Sequence, residues 1–323
     1  MAKGHKSVSN GSDGHSADNS LFSSFVGTLD CSMSYLQEKL PPGPAFIPMN
    51  WINNTQKFGC WIFVLILMIY FDNYSTGCWI YIALHGSYGM CWIIKDFTFP
   101  DKTFQSNVTI SSAIILAALL GMYLLAGYQM TSRMANNEPS LERILISFVM
   151  YFVGLFLMIG SDIQKYFILK YRQANSLIDY GFFKITRNPN YLGETMIYYS
   201  FAIIVDRWEF WFVLWTIHLA VFVPRMLIKD KSLSKKDRWD EYDSYLFFPK
   251  FSSCCLDNFI IYSFVIVLGL LIYTSGGFTE FKDHVLTIWK TGDAEPFFKN
   301  ARHFGIPQVD LALEKVYKFL YDC

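Results

Sequence analysis

The chain alternates between long apolar runs and short polar connectors. The runs fall at 58–71, 77–94, 110–130, 144–160, 192–205, 208–228 and 256–275. A helix needs about 20 apolar residues to cross the hydrocarbon core of a bilayer. Lipid offers backbone groups no partner, so each run predicts a helix whose hydrogen bonds close internally. Strand-period alternation is absent, which argues against a β-barrel. The first run is short and reads as a buried or half-inserted helix. The fifth is marginal alone; only the stretch DRWE (206–209) marks its junction with the sixth, which predicts a tight helical hairpin. The pattern therefore predicts an all-α fold, a polytopic transmembrane bundle of about seven helices.

The ends read differently. Residues 1–20 are rich in Ser, Gly, Asn, Asp and His and lack the apolar stretch of a secretory signal. They predict a disordered tail, taken as 1–45. The Pro-punctuated stretch 40–48 cannot be regular helix and leads into a membrane domain over 46–278. A C-terminal tail, 279–323, is expected to carry an amphipathic helix. Pro307 suits its first turn, and Val309, Leu313, Val316 and Leu320 recur on one face. Such a face suits packing on the membrane domain, a protein partner or the bilayer surface.

Charge orients the bundle. Lys165, Lys170, Arg172, Lys184 and Arg187 fill one connector, and Lys229, Lys231, Lys235, Lys236, Arg238 and Lys250 fill another. The positive-inside rule places both in the cytosol. Counting seven crossings puts the N-terminus in the cytosol and the C-terminal tail on the far side.

Composition agrees with a membrane protein: 53% apolar, 18% aromatic and only 17% charged residues. Lys plus Arg equals Asp plus Glu at 27 each, so no basic field points to nucleic acid. The seven cysteines include no C-x-x-C pair and the six histidines no H-x-x-x-H, so no metal site is expected. Cys254 and Cys255, just before the last apolar run, are candidates for S-acylation. A P-loop, a G-x-S-x-G elbow and a G-x-G-x-x-G turn are all absent.

Two connectors carry more polar chemistry than loops need. In 161–194, Asp162, Gln164, Lys165, Arg172, Arg187, Asn190 and Glu194 crowd the helix ends. Ionisable groups there are costly and often functional. Asn190 and Glu194 are four apart and share one face of a continuing helix, with Pro189 in its first turn. That face offers amide and carboxylate groups to a flat, amide-bearing ring. In 224–251, Arg225 and Lys229 form a cationic face suited to phosphate, Asp230 can order them or bind a ribose hydroxyl, and Tyr242 and Tyr245 offer hydroxyls. In the first half, His85 and Tyr88 are three apart on one helical face and are candidates for polarising a carbonyl; Tyr128 and Arg133 are further candidates.

The stretch GFFKITRNPNYLGE (181–194) resembles the membrane proteins with a steroid 5-alpha-reductase C-terminal domain, which include sterol double-bond reductases and very-long-chain enoyl reductases. Asp162, Gln164 and Lys165 resemble that family's D-x-Q-K block. Arg225, Lys229, Asp230 and Leu233 resemble its cationic–acidic segment, and WDEYDSYLFFPKF its closing Tyr-x-x-Tyr run. The resemblance covers 155–251. It implies a helical reductase using NADPH, probing a lipid substrate that enters from the bilayer. Asn190 and Glu194 would then face the nicotinamide, and Asp162, Lys165, Arg225, Lys229, Asp230 and Tyr242 the ribose and phosphates. The first half matches no motif of that family, so His85 and Tyr88 are catalytic candidates on their spacing alone. The reaction implied is hydride transfer to a polarised carbon–carbon double bond of a sterol or fatty-acyl lipid. Asn188 stands where the family commonly has His, so that position loses titration near neutral pH. An endoplasmic reticulum location goes with the resemblance, with the mitochondrial inner membrane as the alternative. Two other functions stay open: a membrane methyltransferase of the isoprenylcysteine or phospholipid type, and a non-catalytic subunit of a membrane assembly.

Overall fold

The computed structural model describes residues 13–172, 176–274 and 276–291. The chain divides into two compact units, 1–250 and 251–323.

The first unit begins with α1 (Asp13–Ser34) and a one-turn π-helix, Tyr35–Lys39. A disordered tail over 1–45 is therefore not what 13–39 form. The reason lies in Phe22, Phe25, Val26 and Leu29, whose helical spacing the polar residues around them mask; Val26 is wholly buried. α1 packs along α10 (Val223–Leu233), where Lys231 Nζ donates to the Ser23 carbonyl at 2.6 Å. The chain then enters through a two-residue antiparallel pairing, β1 (Ile47–Pro48) with β2 (Asn107–Val108).

Two long helices follow, α2 (Met49–Tyr70) and α3 (Thr76–Thr98). The first apolar run is thus only the second half of a 22-residue helix, not a short or half-inserted one. Its polar first half (Asn50, Asn53, Asn54, Gln56, Lys57) hides that continuity in the sequence. Within it, Asn50 and Asn54 both donate to Asp96 of α3, at 3.3 and 2.8 Å. The third run splits into α4 (Ile110–Gly121) and α5 (Leu124–Thr131), which meet at 40°.

The longest helix, α6 (Leu141–Tyr171), is capped at its start by Ser140, whose hydroxyl accepts from the Arg143 amide. After the short α7 (Phe182–Ile185), α8 (Pro189–Val205) packs on α6 in the most extensive helix pair. The contact is close because Gly154 and Gly193 face each other: a Cβ on Gly193 would lie 2.4 Å from the Gly154 carbonyl oxygen. Arg143 closes the far end of this pair, donating to the carbonyls of Ile203 and Ile204 at 2.6 and 2.9 Å. Asp206, in the left-handed conformation (φ 51°), turns the chain into α9 (Trp208–Ile217), which forms the expected tight hairpin. A π-helical turn at His218–Phe222 joins α9 to α10. The core gathers Tyr81, Tyr88, Tyr198, Phe201 and Phe210, all fully buried.

The second unit carries α11 (Cys255–Thr274) and α12 (Phe278–Thr291). Gly276 and Gly277, both at positive φ (94° and 130°), make the turn between them. Cys254 and Cys255 are exposed free thiols. The helix expected around Val309–Leu320 lies outside the described residues.

The all-α class holds, but the count of seven spans does not. Among the described residues, three helices are long and apolar enough to cross a bilayer, Met49–Tyr70, Leu141–Tyr171 and Trp208–Leu233, or four if the bent pair α4–α5 is one span. Apolar runs overcount because α8, at 17 residues, is buried along most of its length, and α3 buries His85, Tyr88 and Lys95. Most of α8 thus faces protein, whereas α3 is mixed, with Trp79, Ile94 and Phe97 exposed. The side assigned to the C-terminal tail by counting seven crossings loses its basis.

Candidate functional site

The densest buried chemistry is built around a lysine. Lys57, on the polar half of α2, is 2% exposed. Its Nζ donates to the Tyr88 hydroxyl at 2.9 Å, to the Tyr198 hydroxyl, and to Glu194 Oε1 at 3.4 Å. Tyr88 in turn donates to Glu194 Oε1 at 3.1 Å. The ring faces of Tyr88, Trp92 and Tyr198 stand 4.5–4.9 Å from the ammonium. Cation–π attraction and the carboxylate together offset the desolvation of the charge. Three helices supply the cluster. Tyr88 and Trp92 sit one turn apart on α3, and Glu194 and Tyr198 one turn apart on α8. The side chain of Lys57 reaches between them.

A second cluster adjoins the first. His85 stacks on Phe201 with ring centroids 4.6 Å apart. Its Nδ1 lies 2.7 Å from the Tyr81 hydroxyl and 3.3 Å from Cys60 Sγ, while its Nε2 is buried without a partner. His85 and Tyr88 therefore occupy one core, with ring centroids 6.5 Å apart. The phenol bonded to the imidazole is nevertheless Tyr81, a turn earlier, and Tyr88 is engaged by Lys57 and Glu194.

Trp92 links the lysine cluster to a row of charges. Its ring lies 4.8 Å from Lys57 Nζ and 4.4 Å from Lys95 Nζ. Lys95 pairs with Asp162 of α6 at 2.5 Å, both side chains under 10% exposed. One turn further along α6, Lys165 pairs with Asp101 at 3.4 Å. Burial alone would raise the Asp101 carboxyl. Lys165, the Thr103 amide and Lys95 outweigh it and hold the group down at about 2. Because the folded value lies below the ordinary 3.8, the stability it contributes is present above about pH 4 and lost as pH falls toward 2. Asp101→Asn is therefore expected to flatten the acid side of a thermal-denaturation profile between pH 4 and 2. An unchanged profile would show that this carboxylate is not coupled to folding.

The Arg-Asn-Pro turn before α8 completes the row. Arg187 Nε stands 2.9 Å from Asp230 Oδ1, an ion pair without hydrogen-bond alignment, so both atoms keep unused bonding capacity. Lys229 donates to the Arg187 carbonyl at 3.1 Å and lies within electrostatic range of Lys165, Asp162, Asp101 and Asp230. Asn188 ties the turn down through its Nδ2, 2.8 Å from the Leu246 carbonyl. Tyr242 donates to the Phe183 carbonyl at 2.7 Å, and burial holds its phenol protonated well above the ordinary range. The side-chain oxygens of Asn188 and Asn190 are buried and unpartnered.

Of the ten predicted site residues, Tyr88 and Glu194 are bonded to each other. Asp162, Lys165, Lys229 and Asp230 share the charged row, and Asn190 sits one turn before Glu194 on α8. Arg225 instead donates to Gln37 Oε1 at 2.5 Å, engaged by the N-terminal segment. Tyr242 anchors the chain next to Phe183. Lys57, Trp92, Lys95, Asp101 and Tyr198 were missed by sequence reasoning. Lys57 and Lys95 had a signal, each being a cation at the border of an apolar run; Tyr198 and Trp92 had none, since aromatics abound in every run.

A family model described as "Protein of unknown function (DUF1295)" matches residues 99–245, just under half of the chain. That stretch contains α6, α8 and α10 with the charged row except Lys95, but not Lys57, His85 or Tyr88. No curated protein matches the chain.

Proposed function

We propose that this chain is an integral membrane oxidoreductase that uses NADPH to reduce a carbon–carbon double bond in a sterol or fatty-acyl lipid. The observation that carries the reading is one continuous polar file through an apolar bundle. It runs from Glu194, Tyr88 and Lys57, past Trp92, to Lys95, Asp162, Lys165, Asp101, Lys229, Asp230 and Arg187. The steroid 5-alpha-reductase-like motifs at 181–194 and 225–233 lie along it. Ionisable groups within an apolar bundle are costly and often functional.

The residues fit a dinucleotide. The unpartnered side-chain oxygens of Asn190 and Asn188, beside the Arg187–Asp230 ion pair, lie where the cofactor is expected. Lys165, Lys229 and Arg187 would hold the phosphates, Asp162 and Asp230 would order those cations, and Asn190 with Glu194 would take the carboxamide end. Bound NADPH would supply the hydride. In this reading the chain would supply the proton: the Tyr88 hydroxyl, which here donates to Glu194 Oε1, would turn to the substrate, and Lys57 Nζ, bonded to both Tyr88 and Tyr198, would restore its proton. The surrounding rings keep water out.

The experiment is a thermal shift of the purified protein in detergent with NADPH and, separately, with S-adenosylmethionine. A ligand that binds only the folded state raises the midpoint. NADPH alone is expected to do so, and Lys165→Ala and Asn190→Ala to weaken it by roughly tenfold each. A response to S-adenosylmethionine alone would make the chain a methyltransferase, and silence with both a non-catalytic subunit.

A further inference from the structure

Two nucleophilic side chains stand side by side outside the buried chemistry. Cys254 and Cys255 are both exposed and free, whereas Cys60 and Cys78 are buried and Cys91 is half-buried. The fold engages the backbone around them. Asn258, 2% exposed, donates through Nδ2 to the carbonyls of Ser252 and Cys254 at 2.6 and 2.9 Å. Its Oδ1 accepts from the amides of Phe251 and Ser252 at 2.8 and 3.1 Å, and Ser252 Oγ accepts from the Cys254 amide at 3.1 Å. These bonds fix the turn that starts α11 and leave both thiols exposed. What surrounds them is set by α11 itself, which begins at Cys255. No charged residue lies between 259 and 274. Phe264, Val265, Ile266 and Val267 follow one another, and each is more than half exposed. Four successive helical residues sweep about 300° of the circumference, so α11 presents apolar surface on every side. A helix apolar all round needs an apolar medium, which for this chain is the bilayer. The thiols therefore mark the level at which the helix enters lipid. Lys250, the last cation of the basic connector, is four positions before Cys254. The rule that places that connector in the cytosol places the thiols at the same membrane face.

We propose that Cys254 and Cys255 form a double S-acylation site, each carrying a long-chain fatty acyl group in thioester linkage. The donor is a long-chain acyl-coenzyme A. The cysteine sulfur attacks the acyl carbonyl carbon and a new carbon–sulfur bond forms. The bond to the coenzyme A sulfur breaks, and the proton lost by the cysteine ends on the coenzyme A thiol. One thioester replaces another, so neither oxidant nor reductant is needed. Position selects these thiols over Cys31, which is also exposed but sits on α1 among Asp30, Ser32 and Ser34. Acyl chains partition into the bilayer, and a thiol at its surface meets them at high local concentration. Two chains give lasting attachment where one is marginal, and here they hold the start of α11 at the interface. The inference does not rest on the reductase reading, because neither cysteine belongs to the charged row.

The test expresses the full chain in eukaryotic cells fed an alkyne-tagged palmitate, then purifies it and attaches a fluorophore to the alkyne. Label that neutral hydroxylamine removes is expected, since that reagent cleaves thioesters and spares amides. Cys254→Ser and Cys255→Ser should each keep about half of it, the double variant should lose nearly all, and Cys31→Ser should keep it whole. Serine at an exposed position leaves the fold in place, so all four variants should melt as the wild type does. Mass mapping of the wild-type peptide spanning 251–258 decides the matter without any variant: two palmitoyl additions are expected. Unmodified or disulfide-linked thiols in that peptide, label that resists hydroxylamine, or label that maps to Cys31 instead would each overturn the proposal.

Discussion

Glu194→Ala is expected to destabilise the protein by about 3 kcal/mol, the low end for removing one partner of a buried ion pair. Lys57 is left as an ammonium with 3% of its side chain exposed and no carboxylate beside it. The hydroxyls of Tyr88 and Tyr198 and the surrounding rings retain part of the compensation, which keeps the loss from the upper end. The midpoint of thermal denaturation in detergent should fall by on the order of 5–10 °C. Adding Lys57→Met removes the stranded charge and should restore most of that loss. A double variant that melts no higher than Glu194→Ala would mean the two groups are not coupled. Because this measurement needs no cofactor, it separates the structural role of the pair from the proposed binding of NADPH.

Gly193→Ala should be as damaging by a different route. Its new methyl would lie 2.4 Å from the Gly154 carbonyl oxygen and 2.5 Å from the Met158 amide nitrogen, both backbone atoms that cannot swing aside. The α6–α8 pair must separate, at a cost of about 1–3 kcal/mol for overpacking. Glu194, the next residue, would move with α8. Gly154→Ala meets the same contact from the other helix, at 2.6 Å from the Gly193 oxygen. The two substitutions together should therefore cost less than their sum, since one separation serves both. Gly59→Ala is the internal comparison: open space surrounds its Cβ, and alanine favours helix over glycine by about 1 kcal/mol. Equal melting of the Gly193 and Gly59 variants would refute the close-contact account.

These contacts explain part of the motif read at 181–194. Its glycine is required by helix approach, its proline by the first turn of α8, and its asparagine at 188 by the Leu246 carbonyl. Two of these three reasons are tertiary. The spacing of Asn190 and Glu194 was legible because i and i+4 share a helix face whatever surrounds it. The partner of Glu194 was not, because Lys57 is 137 positions away. Its place at the polar edge of an apolar run looked like a helix-flanking charge. Likewise, His85 and Tyr88 were found as residues of one face, but the choice of Tyr81 over Tyr88 as the imidazole's partner depends on where Lys57 and Glu194 draw the second phenol.

Local pattern alone determined the helical class, the hairpin at 206–209 and the clustering of charge beside α6, α8 and α10. Each follows from hydrophobic run length or from periodicity along one helix, and neither needs a neighbour. Which apolar helices face lipid and which face protein was decided only by packing, since a leucine or phenylalanine is equally at home in either. The same holds for the N-terminal helix seated on α10 and for the lysine cage. Each of these depends on groups far apart in the chain meeting at atomic distance, and a linear order of residues does not encode that separation.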